Sequence, residues 1–490
     1  MIEIPAAKDL LFWESYQNGD DLMERACNAF ANWFSSKFET QRKVGIVCGT
    51  GNNGGDGLGI ARILKSKNFD VIVWIIESDK QSDGFKKNRE RLPKDIPVIA
   101  ISNAASFEPT YPMILIDAIF GTGLTRPVEG IYAEVITKFN ATKAIKVAVD
   151  IPSGLLADKA SSGIIIKADY TVTFILPKLA LMFPDSAEYV GEWHLEDLGL
   201  DANISGFFGD MRQTIAYHEY IDDRSVRAML HHRKKFSHKG DYGRALLIAG
   251  SYGKMGAAIL AARATLRSGA GLLTVHVPKC GYEIIQTSVP EAMASIDEQQ
   301  DHFSNVAGLE KYDVIGIGPG LGMAASTTAG LKKILDLGKP MVIDADALNI
   351  LSGNPDLLDR IPAGSILTPH PGEFERLAGK SANGFARLHL QSNLATRTKS
   401  VVILKGACTS ICPGGYFNST GNPGMATGGS GDVLTGVLLG LLSQGYTARE
   451  AAIIGVYIHG LAGDLAAANV GQTSLVAGDI VEFLGQSFGR

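Results

Sequence analysis

Short, nearly uninterrupted apolar runs, each about strand length, recur along this chain, and several of them end on an acid. Lys43–Cys48, Val71–Ile76, Met113–Asp117, Ile145–Asp150 and Tyr170–Ile175 form one series. Arg244–Ala249, Leu272–Val277, Val314–Ile317, Met341–Asp344, Ser365–Thr368 and Val401–Lys405 form a second. A strand with one wet face alternates apolar and polar residues, whereas a continuous run belongs to a parallel sheet covered on both faces. The predicted class is therefore α/β. At 490 residues the chain exceeds what one core supports, so two domains are expected. The strand rhythm lapses over Leu198–Arg224 into Gly-, Asp- and Asn-rich sequence, which places the domains at 1–215 and 226–490. No internal repeat of fixed period links the two halves.

Apolar content of 46% and charged content of 20% describe an ordinary globular protein. A net charge of −5 supplies no general attraction to nucleic acid or anionic membrane. Glycine takes 56 of the 490 positions, above the usual share of about 7%, and much of it is clustered, as phosphate-binding loops require. The five cysteines are scattered, and no His/Cys cluster completes a zinc site. Met1-Ile2-Glu3-Ile4-Pro5 lacks the basic-then-apolar pattern of a secretory leader. Val433–Leu442, read as the longest apolar stretch, is too short to cross a bilayer. A cytoplasmic enzyme with reduced thiols, and no nucleic-acid or membrane partner, is expected.

The most informative segment is Gly421-Asn422-Pro423-Gly424-Met425-Ala426-Thr427-Gly428-Gly429-Ser430-Gly431-Asp432, followed at once by an apolar run. Glycine lets backbone N–H groups converge with no Cβ in the way. A helix beginning at the acid would aim its positive end at the same point, making a pocket for a phosphoryl group with a carboxylate at its rim. The plainer alternative is a turn with Asp432 as helix N-cap. Other features favour phosphoryl transfer: the turn Gly316–Gly322 containing Gly320, the acids of Val342-Ile343-Asp344-Ala345-Asp346, His370 and Glu373 on one turn, and Lys405 at a strand end. Amides, one cation and acids able to hold Mg2+ are what that chemistry needs. No Gly-Lys-Ser/Thr loop is present, so this is not a P-loop enzyme. Taken singly, His370 reads equally as a turn-capping histidine and Lys405 as a solvated strand end. The basic run His231–Lys235 reads as a solvated face, or as a contact for a dinucleotide phosphate.

In the first half, Gly49-Thr50-Gly51-Asn52-Asn53-Gly54-Gly55-Asp56-Gly57 follows a strand and precedes a helix predicted at Leu58–Lys67. Its position suits a nucleotide phosphate, but its spacing is not the dinucleotide fingerprint, and its side chains suggest a cation or a polar ligand edge. A tight turn would explain the glycines alone. Asp117 and Asp150 also close strands, and ligands of open α/β sheets gather at carboxyl ends. The three features are expected to converge.

Gly51–Gly57, Asp117-Ala118-Ile119-Phe120-Gly121-Thr122-Gly123-Leu124-Thr125-Arg126-Pro127 and Val149-Asp150-Ile151-Pro152-Ser153-Gly154 resemble the NAD(P)H-hydrate epimerase family over Met1–Asp210. One departure is Cys27, where the family more often has Gly after Glu24-Arg25-Ala26; only a packing effect is expected. The resemblance implies a Rossmann-like doubly wound domain. Asn52, Asn53, Gly54, Gly55, Asp56 and Gly121 through Pro127 would contact the hydrated dinucleotide. Asn53, Asp117 and Ser153 would hold K+ through oxygen ligands, and Asp150 would transfer the proton.

His238-Lys239-Gly240-Asp241-Tyr242-Gly243-Arg244, Gly256-Ala257-Ala258, Asp344–Asn349, Thr368-Pro369-His370-Pro371-Gly372-Glu373 and Gly421–Asp432 resemble the ribokinase-like ADP-dependent NAD(P)H-hydrate dehydratases over Val226–Phe488. By that resemblance Ala257, Gly320, His370 and Asp432 would contact the hydrate. Lys405, Gly406, Ala407, Cys408, Thr409 and Gly431 would contact the adenine nucleotide, and Asp432 would be the general base. The implied enzyme repairs nicotinamide cofactors hydrated at ring carbon 6. Its first domain would interconvert R and S epimers of NADHX and NADPHX. Its second would use ADP and Mg2+ to phosphorylate the S form and release phosphate. Phosphate leaves far more readily than hydroxide, so a kinase-like scaffold suits a dehydratase. A homo-oligomer is expected from the family alone. An ordinary small-molecule kinase in the second half and a non-catalytic binding module in the first are the alternatives.

Overall fold

A computed structural model describes residues 1–17, 19–109, 113–200, 204–208 and 218–489. The chain divides into two compact units that part between His218 and Glu219. Most of 201–217, within the stretch where the boundary is predicted, lies outside the described residues.

The first unit holds seven parallel strands: β1 Lys43–Cys48, β2 Asp70–Ile76, β3 Val98–Ile101, β4 Met113–Ala118, β5 Ile145–Val149, β6 Tyr170–Phe174 and β7 Glu192–Glu196. They run in the order β3-β2-β1-β4-β5-β6-β7. The sequence order reverses at β1 and β4, which pair with Cys48 opposite Ala118. This is a Rossmann-like doubly wound sheet, with its crevice where the chain leaves those two strands. Val44, Ile46 and Cys48 face one core layer and Val47 the other, as strands buried on both faces require.

The helix after β1 begins earlier than predicted, spanning Asn52–Ser66. Its glycines suggest a loop because glycine is a poor helix former. Here they serve close packing: a Cβ at Gly57 would lie 2.6 Å from the Ala118 Cβ and 2.7 Å from the Cys48 Sγ. Asn52, Asn53 and Asp56 are thereby fixed on the first turns of a helix. Cys27 is buried and packs against Gly59 of that helix.

The second unit is built on a second, mostly parallel sheet. Its strands are β8 Arg244–Ile248, β9 Leu272–Val277, β10 Met293–Ile296, β11 Val314–Ile317, β12 Met341–Ile343, β13 Ile366–Leu367, β14 Val401–Leu404, β15 Ser410–Cys412 and β16 Tyr416–Phe417. They follow the order β16-β15-β14-β13-β12-β11-β8-β9-β10. Strands β14 through β10 are parallel, and β15 and β16 add antiparallel pairs. Ala245 and Leu247 face one core and Leu246 and Ile248 the other.

The longest apolar helix is Ala448–Val470 rather than the stretch at Val433. Its 23 residues are long and apolar enough to cross a membrane, but 72% of the apolar window is buried within the protein. Arg449, Glu450, His459 and Asp464 interrupt it in the sequence, which hides its length.

Candidate active sites

In the first unit, Asp117 is the next-to-last residue of β4. One carboxylate oxygen accepts from the Ser153 N–H at 2.7 Å. The other accepts from the Ser153 hydroxyl at 2.6 Å and the Ile119 N–H at 3.2 Å. Complete burial pushes this carboxyl up to about 6, against those hydrogen bonds. Asn53 is buried with its Nδ2 unpartnered, and Gly121 lies against its side chain. Ser153 thus meets Asp117 directly, while Asn53 lies against Gly121 of the turn that follows β4.

Asp150 follows β5 in the left-handed region, at φ 68°, where non-glycine residues are uncommon and functional sites overrepresented. Its carboxylate accepts from Lys178 Nζ and from the Thr122 hydroxyl, and more weakly from the Thr122 N–H and the Thr173 hydroxyl, each at 3.3 Å. Burial pushes this carboxyl up, but the Lys178 ammonium and the Thr122 bonds outweigh it and hold the group below the usual carboxylate range. Asp150 is therefore ionised at neutral pH.

Asp150 and Lys178 open onto a cavity of about 900 Å³ also lined by Asn52, Asn53, Asp56 and the whole turn from Gly121 to Pro127, whereas Asp117 and Ser153 are buried outside its lining. Gly54 and Gly55 are buried behind it and do not line it. Burial, and then the negative charges of Asp150 and Glu14, push the Asp56 carboxyl well up. Arg126 is exposed at the rim.

In the second unit, the helix Ser430–Ser443 starts two residues before Asp432, and Gly429 at φ 94° is its N-cap. Asp432 is thus a first-turn acid and not the cap. Lys405, where β14 ends, reaches Asp344 at 2.8 Å, while the Thr435 hydroxyl donates to the other Asp344 oxygen at 2.6 Å. Gly431 lies against both partners: a Cβ there would be 3.3 Å from Lys405 Nζ and 3.8 Å from Asp344 Oδ2. Asp346 accepts from the Gly322 N–H at 2.8 Å and pairs with Lys254 at 3.2 Å. Burial, then the nearby charge of Asp344, pushes the Asp432 carboxyl up to about 6, with Lys405 opposing.

Ala257, Gly320, Asp346 and Asp432 line a cavity of about 390 Å³. His370 and the turn Lys405–Thr409 lie outside that lining. His370 is an N-cap: its Nδ1 accepts from Gly372 and Glu373 N–H groups at 3.1 and 3.4 Å. A ring nitrogen that accepts there leaves Nε2 as the donor of the neutral imidazole. Gly406 and Thr409 close their turn on each other, the Thr409 hydroxyl donating to the Gly406 carbonyl at 3.0 Å. Burial pushes the Cys408 thiol up to about 11, so it is no nucleophile.

The basic run falls elsewhere. Arg233 donates to the Gly269 carbonyl at 2.6 Å, and Gln444, just past the helix Ser430–Ser443, donates to the neighbouring Ser268 carbonyl at 2.8 Å. The run is therefore at the far end of that helix from Asp432, about 18 Å away at about 1.5 Å per residue.

Two family models match the chain. Residues 19–180 match the YjeF-related protein N-terminus, and residues 245–484 match NAD(P)H-hydrate dehydratase. The bifunctional NAD(P)H-hydrate repair enzyme Nnr of Moorella thermoacetica is 38% identical, over 94% of this chain and 91% of its own.

The chain belongs to the bifunctional NAD(P)H-hydrate repair enzyme family.

The Escherichia coli member is 36% identical over 95% of this chain and 88% of its own. A structure of an ADP/ATP-dependent NAD(P)H-hydrate dehydratase from Bacillus subtilis, co-crystallized with ATP/Mg2+, is 31% identical. It covers 56% of this chain and 98% of that one, with a TM-score of 0.48.

As a member of the repair-enzyme family the chain carries both sets of motifs, but the motifs do not include all the groups at its crevices. Lys178 pairs with Asp150 from beyond the end of β6 at Phe174, a position that no motif marks. Glu14 enters the first cavity from an N-terminal helix that has no motif. Asp464 accepts from the Gly421 N–H and from Asn422 Nδ2, each at 2.9 Å, anchoring the glycine loop from the helix Ala448–Val470.

Proposed function

We infer that this chain repairs hydrated nicotinamide dinucleotides at two separate sites. The first domain epimerises R- and S-NAD(P)H hydrate. The second dehydrates the S form at the expense of ADP through a phosphorylated intermediate. The observation that carries this reading is that each half of the family's signature keeps a half-buried acid at its crevice: Asp150, ionised against Lys178, and Asp432, beside the Asp344–Lys405 pair. In the second domain Asp432 serves as general base on the hydroxyl of the hydrate, and the loop's amides receive the phosphoryl oxygens. His370, its Nδ1 held by the turn, offers Nε2 to the substrate, while Lys405–Thr409 and Gly431 hold the adenine nucleotide.

K+ fits at Asn53, Asp117 and Ser153. Asp117 is a fully buried carboxylate with no cationic side chain against it among the described residues, and with the Ser153 hydroxyl and the Asn53 side-chain amide it offers oxygen atoms, as a hard monovalent cation prefers. Mg2+ fits the second site. Asp432 and Glu373 both have carboxyls pushed up, first by burial, and Asp344 and Asp346 add negative charge beside them, with which Lys405 and Lys254 pair. A divalent ion there supplies charge neutralisation for phosphoryl transfer.

The test follows the near-ultraviolet absorbance of reduced nicotinamide in a mixture of R and S hydrates, with Mg2+, K+ and either ADP or ATP. Full recovery, faster than spontaneous epimerisation allows, is expected. Asp432→Asn should abolish recovery and leave epimerisation intact, and near-normal dehydration by that variant would remove Asp432 from the role of base.

A further inference from the structure

Glu14 lies in the helix Ala7–Ser15, ahead of the stretch that the family model matches. It lines the same cavity as Asp56, Asp150 and Lys178. Among the described residues no group donates a hydrogen bond to its carboxylate, so it faces the cavity uncommitted. Asp150 is in the opposite condition, with donors from Lys178, Thr122 and Thr173 fixing it as an anion. Burial, and then the negative charge of Asp150, push the Glu14 carboxyl up to about 7, with Lys178 opposing. Two carboxyl groups in one cavity, driven apart by their surroundings, are the arrangement of an acid and a base.

Resting on the reading of this domain as an epimerase, we propose that Glu14 is its general acid and Asp150 its general base. Hydration at ring carbon 6 leaves that carbon bonded to both a hydroxyl and the ring nitrogen N1, a carbinolamine. Asp150 takes the hydroxyl proton, and the oxygen's electron pair forms the C6=O bond. The C6–N1 bond breaks, its electron pair passes to N1, and Glu14 delivers a proton to N1. The opened aldehyde turns about its C5–C6 bond and presents its other face. In the reverse sequence N1 attacks C6, Glu14 recovers the N1 proton and Asp150 returns its proton to the oxygen. Nothing is oxidised or reduced, and both carboxyl groups end as they began.

Glu14→Gln keeps the size of the side chain and removes its proton. Interconversion of separated R and S hydrates is measured against pH, with dehydration of the S form in the same sample counting intact enzyme. Glu14→Gln should epimerise at least about 100-fold more slowly, the contribution typical of a positioned acid. Glu14→Asp should recover part of the rate, and this holds as the deciding variant if the glutamine protein is less stable. The wild-type rate should fall as pH rises through about 7, where Glu14 loses its proton, and this alkaline limb should be missing from Glu14→Gln. An unchanged rate or an unchanged limb in Glu14→Gln overturns the assignment. Early turnovers in ¹⁸O water should leave the C6 oxygen unlabelled, and one label per turnover would overturn the ring-opening step. A wild-type protein that epimerises nothing would overturn the reading of the domain itself.

Discussion

The ammonium of Lys178 is buried against the carboxylate of Asp150, its other donors satisfied by the Thr173 hydroxyl at 2.8 Å and the Phe174 carbonyl at 3.2 Å. A left-handed residue stands at one end of this pair and close to the other. Asp150 has φ 68°, and Ile175, three residues before the lysine, has φ 65°. Isoleucine is β-branched, so that conformation is a true outlier, of the kind that costs on the order of 1–3 kcal/mol and persists where surrounding structure enforces it. Here it turns the chain after β6 so that Lys178 meets an acid that follows β5.

Lys178→Met should cost both stability and epimerisation. Removing one partner of a buried pair typically destabilises by about 3–5 kcal/mol, because a buried charge is left alone. Without the ammonium the Asp150 carboxyl rises and is protonated nearer neutral pH, so the acidic limb of the residual epimerisation should move up in pH toward the limb set by Glu14. Adding Asp150→Asn should restore much of the stability and none of the activity. Urea unfolding and a pH–rate profile separate the two effects, and additive stability losses in the double variant would contradict the pairing.

Gly57→Ala sets two effects against each other. Alanine is favoured over glycine in a helix by about 1 kcal/mol, but the added Cβ would sit 2.6 Å from the Ala118 Cβ. Overpacking of this kind costs about 1–3 kcal/mol, so the clash should win. The melting temperature of the first domain should fall by about 2–4 °C per kcal/mol. The hydrate KM should rise as Asn52, Asn53 and Asp56 move with the helix. A raised melting temperature would show that the helix tolerates the methyl group.

Most of the two sheets was legible because parallel strands buried on both faces appear as unbroken apolar runs. The exceptions include three edge strands: Glu192–Glu196 carries acids at both ends, Met293–Ile296 mixes small and polar residues, and Val98–Ile101 is only four residues long. The short antiparallel strands Ser410–Cys412 and Tyr416–Phe417 were missed as well. The start of the helix Asn52–Ser66 was illegible because close packing overrode glycine's poor propensity. Asn53, Asp117, Asp150 and Asp432 were legible as acids or amides at strand and helix ends. Lys178 and Glu14 were not, since each is a single charged residue whose partner is fixed only by the tertiary fold.

The dehydration step should follow the ionisation of Asp432. Burial and the neighbouring Asp344 push this carboxyl up to about 6, and a general base works when deprotonated. Activity should therefore rise with pH through about 6 and then level off. The rate of phosphoryl transfer, measured from pH 5 to pH 8 at saturating ADP, checks this, and a flat profile would indicate that another group takes the proton.

Asp464→Ala should loosen the glycine loop without touching the chemistry of its acid. The helix Ala448–Val470 pins both ends of that loop: Asp464 receives the Gly421 N–H and the Asn422 side chain, and His459 Nε2 lies 3.0 Å from the Ser430 carbonyl. Burial pushes the His459 imidazole down to about 4, so it is neutral and donates to that carbonyl without carrying charge. A hydrogen bond to a charged acceptor is worth about 1.5–3 kcal/mol, and losing two from one end should let Gly421–Gly429 sample open positions. The ADP KM should therefore rise about tenfold or more, while epimerisation, in the other domain, stays unchanged. Asp464→Asn, which keeps one acceptor oxygen, should lie between. A KM that does not move in either variant, with kcat also intact, would show that the loop holds its shape without Asp464.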